Sequence, residues 1–515
     1  MYLILTASKD TYITNKIINN SFSASDANVG SAGTLDLFKL YNESTLTGID
    51  NPIELSKILI KFDLGRLSYL NSQGRIDLNS SKFKAHVKLH DVYGGQTTPD
   101  NFRLICRPLS QSFDEGNGRD IVTFSDVDTT NYLTASYSNG TTNAWNSPGA
   151  SSSGSLGAEN IDVISSGSLS GQNVSLSSEQ LFITGEEDLF VDVTKVVSGA
   201  VSNQLVNHGF IIEYSGSYAK DSKSYFVKRF ASRNASRSDL FPKLVIRFDD
   251  STSDNHSNFV FNSTGTLFLR NSVRGALTNL VSGAASTAIT GANSLLIKLL
   301  SGTYKKIMTA SQHSMGLSNV KGVYSASFAV SQFSGSAALF SGETRDGSLQ
   351  TEINAAGSAS FTVIWGSIDE TIGYHTGSLV IKSPFMSNNK IEGKNYLTTV
   401  RNLNERYRQI DIANIRVFIE NRDKEVVFVK KPIEASSEIF ANMHYQVRDS
   451  ETKKIIIPFD TSCNSTKLSS DSRGMYFELF MESLPRGKAY EIEFLIRDFG
   501  NDIFIQNTAG KFVVD

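Results

Sequence analysis

Apolar and polar positions alternate most clearly in residues 56–69, SKILIKFDLGRLSY, where Ile58, Ile60 and Phe62 fall on one face of a strand and Lys61 and Asp63 on the other. The pattern predicts a core strand of firm register, because a slip of one residue would turn Phe62 out to water. Leu64 and Leu67 carry the apolar run into a turn expected at Gly65. Two later stretches repeat the rhythm and are expected to pack with the first. In SKFKAHVKLHDV, Phe83, Ala85, Val87 and Leu89 alternate with Lys84, His86, Lys88 and His90, and FPKLVIRF follows near residue 245. A helix is predicted in DVTKVVSGAVSNQ, where Val193, Val196, Val197 and Val201 mark one face and Asp192 or Thr194 can cap the start.

Residues 136–180 break this pattern. They are dominated by Ser, Gly and Asn, with few residues to build a core, and read either as a flexible loop or as an arm that orders against a neighbouring subunit. The polar run 249–258, DDSTSDNHSN, has the composition of a linker crossed by few contacts. Beyond it, STGTLFLR, SLLIKLL, VYSASFAVS, GSASFTVIWGS and TGSLVIKS are short apolar or alternating runs separated by Gly, Ser and Asn. Trp365 reads as a core anchor, with sugar stacking as the alternative. From about residue 395, IRVFIE and the VVFV run read as strands, and FANMHYQVRD with KKIIIPFD reads as a hairpin around 450–452. The expected fold is all-β, with three β-sandwich domains in series: residues 1–250 (carrying the 136–180 excursion), 258–388 and 395–515.

Composition narrows the functional classes. Over 515 residues, 49 Lys plus Arg stand against 52 Asp plus Glu, a net charge of -3, so the chain has no overall basic field for phosphate backbones and nucleic acid is not an expected partner. The two cysteines, Cys106 and Cys463, lie in different predicted domains, which excludes a disulfide scaffold and a cysteine-caged zinc. The apolar run in MYLILTASKD is short of a signal-peptide core, and no stretch approaches the length of a membrane helix. The expectation is a soluble, unexported chain without membrane insertion.

Catalytic signatures are missing: there is no G-x-S-x-G, H-E-x-x-H, P-loop or dinucleotide-binding glycine motif, and no enzyme is expected. Two weaker candidates remain. FDEGNGRDIVTFSDVD gathers Asp114, Glu115, Asn117, Asp120, Asp126 and Asp128 around two glycines, the oxygen-rich, bent composition that suits calcium, although it lacks the EF-hand spacing and otherwise reads as a surface turn. No other cofactor is implied. Trp145, in the polar stretch NAWNSPG, is the candidate platform for stacking a glycan, the alternative being a ring packed under its own loop or into a partner. His86 and His90 share a predicted strand face but are too far apart to bind one metal directly, and read as part of a solvated basic face.

Several runs resemble known families. KDTYIT, NVGSAGTLDLFKL, ILIKFDLGRL, the Phe113 to Gly116 segment, LFVDVTKVV, NHGFIIEY, FASRNAS and FPKLVIRF, in that order, resemble a DNRLRE-type domain, which implies a carbohydrate-binding-module-like jelly roll over about residues 5–248. Here Phe113 replaces the family's usual Trp. Leu484-x-x-Gly487-x-x-Tyr490 resembles the tyrosine corner of fibronectin III and immunoglobulin-like sandwiches, implying a hydroxyl bonded to upstream backbone with Ile492, Phe494 and Ile496 in the core. NSVRGALTNLVSG (residues 271–283), GVYSASFAV, VIWGSIDETIGYHTGSL, MHYQVRD, IIIPFD and SDSRGMYFEL resemble virion structural proteins of T4-like marine tailed phages. That resemblance implies a virion component of the tail, baseplate, neck or capsid exterior, assembled in the host cytoplasm with other virion proteins as partners. The alternative is a carbohydrate-binding adhesin or host-recognition module, with a glycan as partner.

Overall fold

The strand Tyr2–Thr14 belongs to both sheets of the first unit. Its start, Tyr2 to Thr6, pairs antiparallel with Lys243–Arg247, and its remainder pairs with Ile53–Phe62 after a register shift between Ala7 and Lys9. Such a bulge lets one strand turn from one sheet into the other. The computed structural model describes residues 1–515 apart from 20, 42–52, 93–99, 124–128, 257–258, 284–285, 316–317, 332–341, 345–347, 385–395, 423–436, 499–500 and 506–509, with backbone alone at 498 and 501–505.

One sheet continues through Lys243–Arg247, Lys84–Leu89 and Leu189–Asp192, the other through Ile53–Phe62, Phe210–Tyr214, Phe102–Pro108 and Ser178–Phe182. Between them Ile58, Ile60 and Phe62 meet Val87, Leu89, Leu244 and Ile246, the facing residues that alternation predicts. Gly65 opens the helix Gly65–Ser72 instead of a turn, and that helix buries Leu67 and Leu70. The valine-faced helix forms over Thr194–Val201, with Val196, Val197 and Val201 buried and Asp192 accepting the Thr194 amide at 2.8 Å. Gln180 bridges the two outermost strands, donating to the Asp188 carbonyl at 2.8 Å and accepting from the Phe190 amide at 2.6 Å. Its side chain closes the side of the sandwich where two strand edges would otherwise lie open.

The excursion 136–180 is not a loose loop but folds onto its own unit. It forms part of the hairpin Thr134–Ser138 with Thr141–Ala144, and then the three-stranded sheet Ser153–Ser155, Val163–Leu169 and Gln172–Ser175. Its sparse apolar residues suffice because the parent sheet supplies the rest. Trp145, Ala150 and Val163 cluster with Ile13, Leu59, Phe113 and Ile211, while Ile164, Leu169 and Leu176 enter the main core. Backbone groups are satisfied by Asp162, fully buried, which accepts the amides of Asn146 at 2.7 Å and Ser147 at 2.9 Å and the Gln111 side chain at 2.9 Å.

The second unit is a seven-stranded sheet that runs from Phe259–Val260 through Gly373–Lys382, Ser358–Gly366, Leu295–Ser301, Tyr304–Met315 and Ser318–Ala329 to Thr264–Arg270. Its core holds Trp365, as the sequence predicts, and receives Leu349 and Ile353 from the helix Leu349–Ala356. The third unit sets a four-stranded sheet against a larger one that contains Met443–Asp449, Lys488–Asp498 and, at its edge, Ile455–Ile457. The predicted hairpin is therefore present, while the VVFV run lies outside the described residues. The Tyr490 hydroxyl donates to the Pro485 carbonyl at 2.6 Å, with Gly487 at φ 72° between them and Ile492, Phe494 and Ile496 buried beside it. This is the bond that a tyrosine corner requires.

The first and third units share a core. Tyr2, Ile4 and Val245, on the outer face of the first sheet, cluster with Met443, Ile457, Leu479 and Leu484 of the third unit. Arg75 reaches Glu478 at 2.6 Å and Arg66 reaches Glu482 at 3.3 Å. The run 249–258 is expected to carry few contacts, but its described part is laid along the third unit. The Thr252 amide donates to Ser469 Oγ at 3.1 Å, and the Asp254 amide to the Ser470 carbonyl at 3.2 Å.

Candidate functional site

The described residues of the acidic loop do not gather their oxygens. Asp114 accepts the Tyr137 amide at 2.9 Å and lies 3.7 Å from the Lys9 ammonium. Glu115 accepts the Asp10 amide at 2.9 Å and forms an ion pair with the Arg233 guanidinium at 2.6 Å. Asn117 is exposed, and exposed Asp120 accepts the amides of Val122 and Thr123 at 2.8 and 2.7 Å. Asp126 and Asp128 lie outside the described residues. Calcium needs six or more converging oxygens, whereas these turn to separate partners, two of them cations. Among the described residues no three His, Cys, Asp or Glu side chains come together as a metal site. The loop is shaped by Asn28, which donates to the carbonyls of Glu115 at 3.0 Å and Thr130 at 2.7 Å and accepts the Gly118 amide at 2.9 Å. Beneath it, burial pushes the Asp10 carboxyl up to about 7, with the Arg233 amide only partly offsetting it.

Trp145 is not a glycan platform. The ring is 5% exposed, sits in the cluster under its own segment, and donates from Nε1 to the Asn131 carbonyl at 2.9 Å. A sugar needs an open aromatic face, and none is left.

The Lys84 to His90 face is not a solvated basic surface either. His90 is 6% exposed, with Nδ1 3.0 Å from Asp188 and Nε2 buried without a partner, while His86 stacks on Phe190 at 4.5 Å. Burial lowers both imidazoles, which favours their neutral forms. Lys88 and His90 of this face, the neighbouring strand Lys243–Arg247 and the segment 454–462 of the third unit line a groove of about 570 Å³. Sequence reasoning missed it, because its walls lie more than two hundred residues apart and each reads separately as an ordinary strand.

Four cations, Lys88, Lys243, Arg247 and Lys454, line the groove against one carboxylate, Asp460. Lys454 is 3.2 Å from Asp239, Arg247 is 3.6 Å from Asp460, and Lys88 is 3.7 Å from Asp188. Lys243 is 8% exposed, and its ammonium donates to the Asp239 carbonyl at 2.7 Å. Burial, together with the nearby Lys454 and Lys88 charges, lowers it to about 8. Asp239 is shared by Arg237, Lys454 and Lys488. Burial opposes its charge, but these cations hold its carboxyl well below the usual range. Phe190 and Ile455 border the same groove with nearly half their surface exposed. The arrangement can hold an anionic group beside apolar side chains.

No family model and no curated protein matches the chain. Among solved structures, trypsin-activated alpha-2-macroglobulin from Escherichia coli is 7% identical, over 92% of this chain and 23% of its own, at a TM-score of 0.15. The chicken CNTN1 FN1–FN3 domains are 9% identical, over 88% of this chain and 94% of theirs, at a TM-score of 0.13. Scores this low carry no argument about function.

Proposed function

We propose that this chain is a structural component of an assembled particle, a tailed-phage virion on the resemblances in its second half, acting through contacts with other virion proteins. The observation that carries this reading is the core shared by the first and third units. Burying Tyr2, Ile4 and Val245 between them stabilises the junction by on the order of 5 kcal/mol, so the two sandwiches form one stiff body. A stiff all-β body suits a brace or spacer, which must hold its neighbours at a set distance. In cryo-electron microscopy of purified particles, the chain should occupy density at a defined copy number, with the first and third units in the same relative orientation in every copy. Its absence from purified particles, or a variable angle between those units, would overturn the reading.

A further inference from the structure

We infer that the groove between the first and third units takes an extended acidic segment of a partner protein, added as a strand along Ile455–Ile457. Three observations converge on this. Among the described residues the strand is the outermost of its sheet and also lines the groove, so the side turned away from its partner strand presents backbone donors and acceptors to whatever enters. Phe190 and Ile455 flank the groove half-exposed, as landing sites for apolar side chains. The lining has more cations than carboxylates, and the buried Lys243 ammonium has no carboxylate within ion-pair reach among the described residues. In addition, His90 Nε2 is buried and unpartnered at the wall.

An incoming strand with alternating side chains answers the strand edge, the apolar pair and the cations at once. Its acidic residues would fall on the side of Lys88, Lys243 and Lys454, its apolar residues would cover Phe190 and Ile455, and its backbone would complete the sheet. A phosphate or a sulfated sugar would meet the cations but leave the strand edge and the apolar pair uncovered. The inference rests on the assembly reading for the identity of the partner as a neighbouring subunit, whereas recognition of the peptide is a property of the isolated chain.

The test is fluorescence anisotropy of the full chain with a labelled peptide of alternating Glu and Val, beside the same peptide with Gln for Glu and one with a central Pro. The acidic peptide should bind, weaken with added salt, and lose about tenfold or more in affinity with Lys454→Glu or Lys88→Glu. Both lysine side chains are a third or more exposed, so folding should survive, and unchanged melting would verify this. The Gln and Pro peptides should bind far more weakly. Equal binding of the Gln peptide, indifference to both charge reversals, or tighter binding of inorganic phosphate or heparin would overturn the inference. Normal incorporation of Lys454→Glu chains into particles, with peptide binding lost, would overturn the subunit role of the groove alone. Absence of the unaltered chain from particles would instead overturn the assembly reading.

Discussion

The second and third units are held by junctions of opposite character. The third unit takes Tyr2, Ile4 and Val245 of the first into its own core and adds ion pairs around them. The second unit keeps a core cluster of its own residues, and its polar contacts with the third are those of Arg270, which lies 4.0 Å from Asp471 and 3.5 Å from the Tyr476 hydroxyl, and of the run before it, where Asp254 meets Ser470. Shared apolar burial makes two units fold as one, because neither can open without exposing the common core to water. Exposed ion pairs and hydrogen bonds orient a unit but contribute little to its stability.

The contrast is most exposed to test at Ile4. Ile4→Ala leaves a cavity at the shared core and should cost roughly 2 to 5 kcal/mol. In calorimetry the first and third units should melt earlier together, while the transition of the second stays in place. A uniform shift of all transitions would break the comparison. Tyr490→Phe keeps the ring packed but removes the donor to Pro485, a loss of roughly 1 to 3 kcal/mol. Although the site lies in the third unit, the first should melt with it, and independent melting of the first would show that the junction does not couple them.

Acid should separate the two kinds of unit more gently. Burial, with the Lys467 and Arg497 charges, lowers His444 to about 4 from an ordinary 6.5, so the folded state favours its neutral imidazole. The stabilisation is complete above pH 6.5 and is lost as pH falls from there toward 4, a change on the order of 1 kcal/mol. His444→Gln should flatten this part of the pH profile of the joint transition and leave that of the second unit unchanged. The smallest effect is expected at Arg270→Ala, within about 0.5 kcal/mol for every transition. Faster proteolysis at 249–258 would be its signature, and a large drop in the joint melting temperature would show that the second unit is coupled more tightly than its polar contacts indicate.

Much of the fold was legible from short-range pattern. The alternation at Ile58, Ile60 and Phe62, the valine face of the Thr194–Val201 helix, the Trp365 anchor and the Tyr490 corner all depend on neighbours within one element or one turn. The candidate sites were not legible in the same way. Trp145, set among Asn, Ser and Gly, looked exposed, but the outer side of the sheet bearing Leu59 and Ile211 covers it. The acidic loop looked like a cage for a cation, yet Lys9 and Arg233 already answer its charge from distant positions.

By itself, the sequence determined which residues share a face and therefore the all-β class, since a period of two needs only the local pleat to be read. Only the tertiary structure decided what lies against each face. Lys84, His86, Lys88 and His90 alternate as a solvent-facing row would, but Lys88 and His90 turn toward the third unit and, with Lys243 and Lys454, line a cationic groove. The reason is that a polar side chain in a strand records only that it points away from its own core. Whether water or another unit waits there is set by contacts between segments hundreds of residues apart, and no local period encodes them.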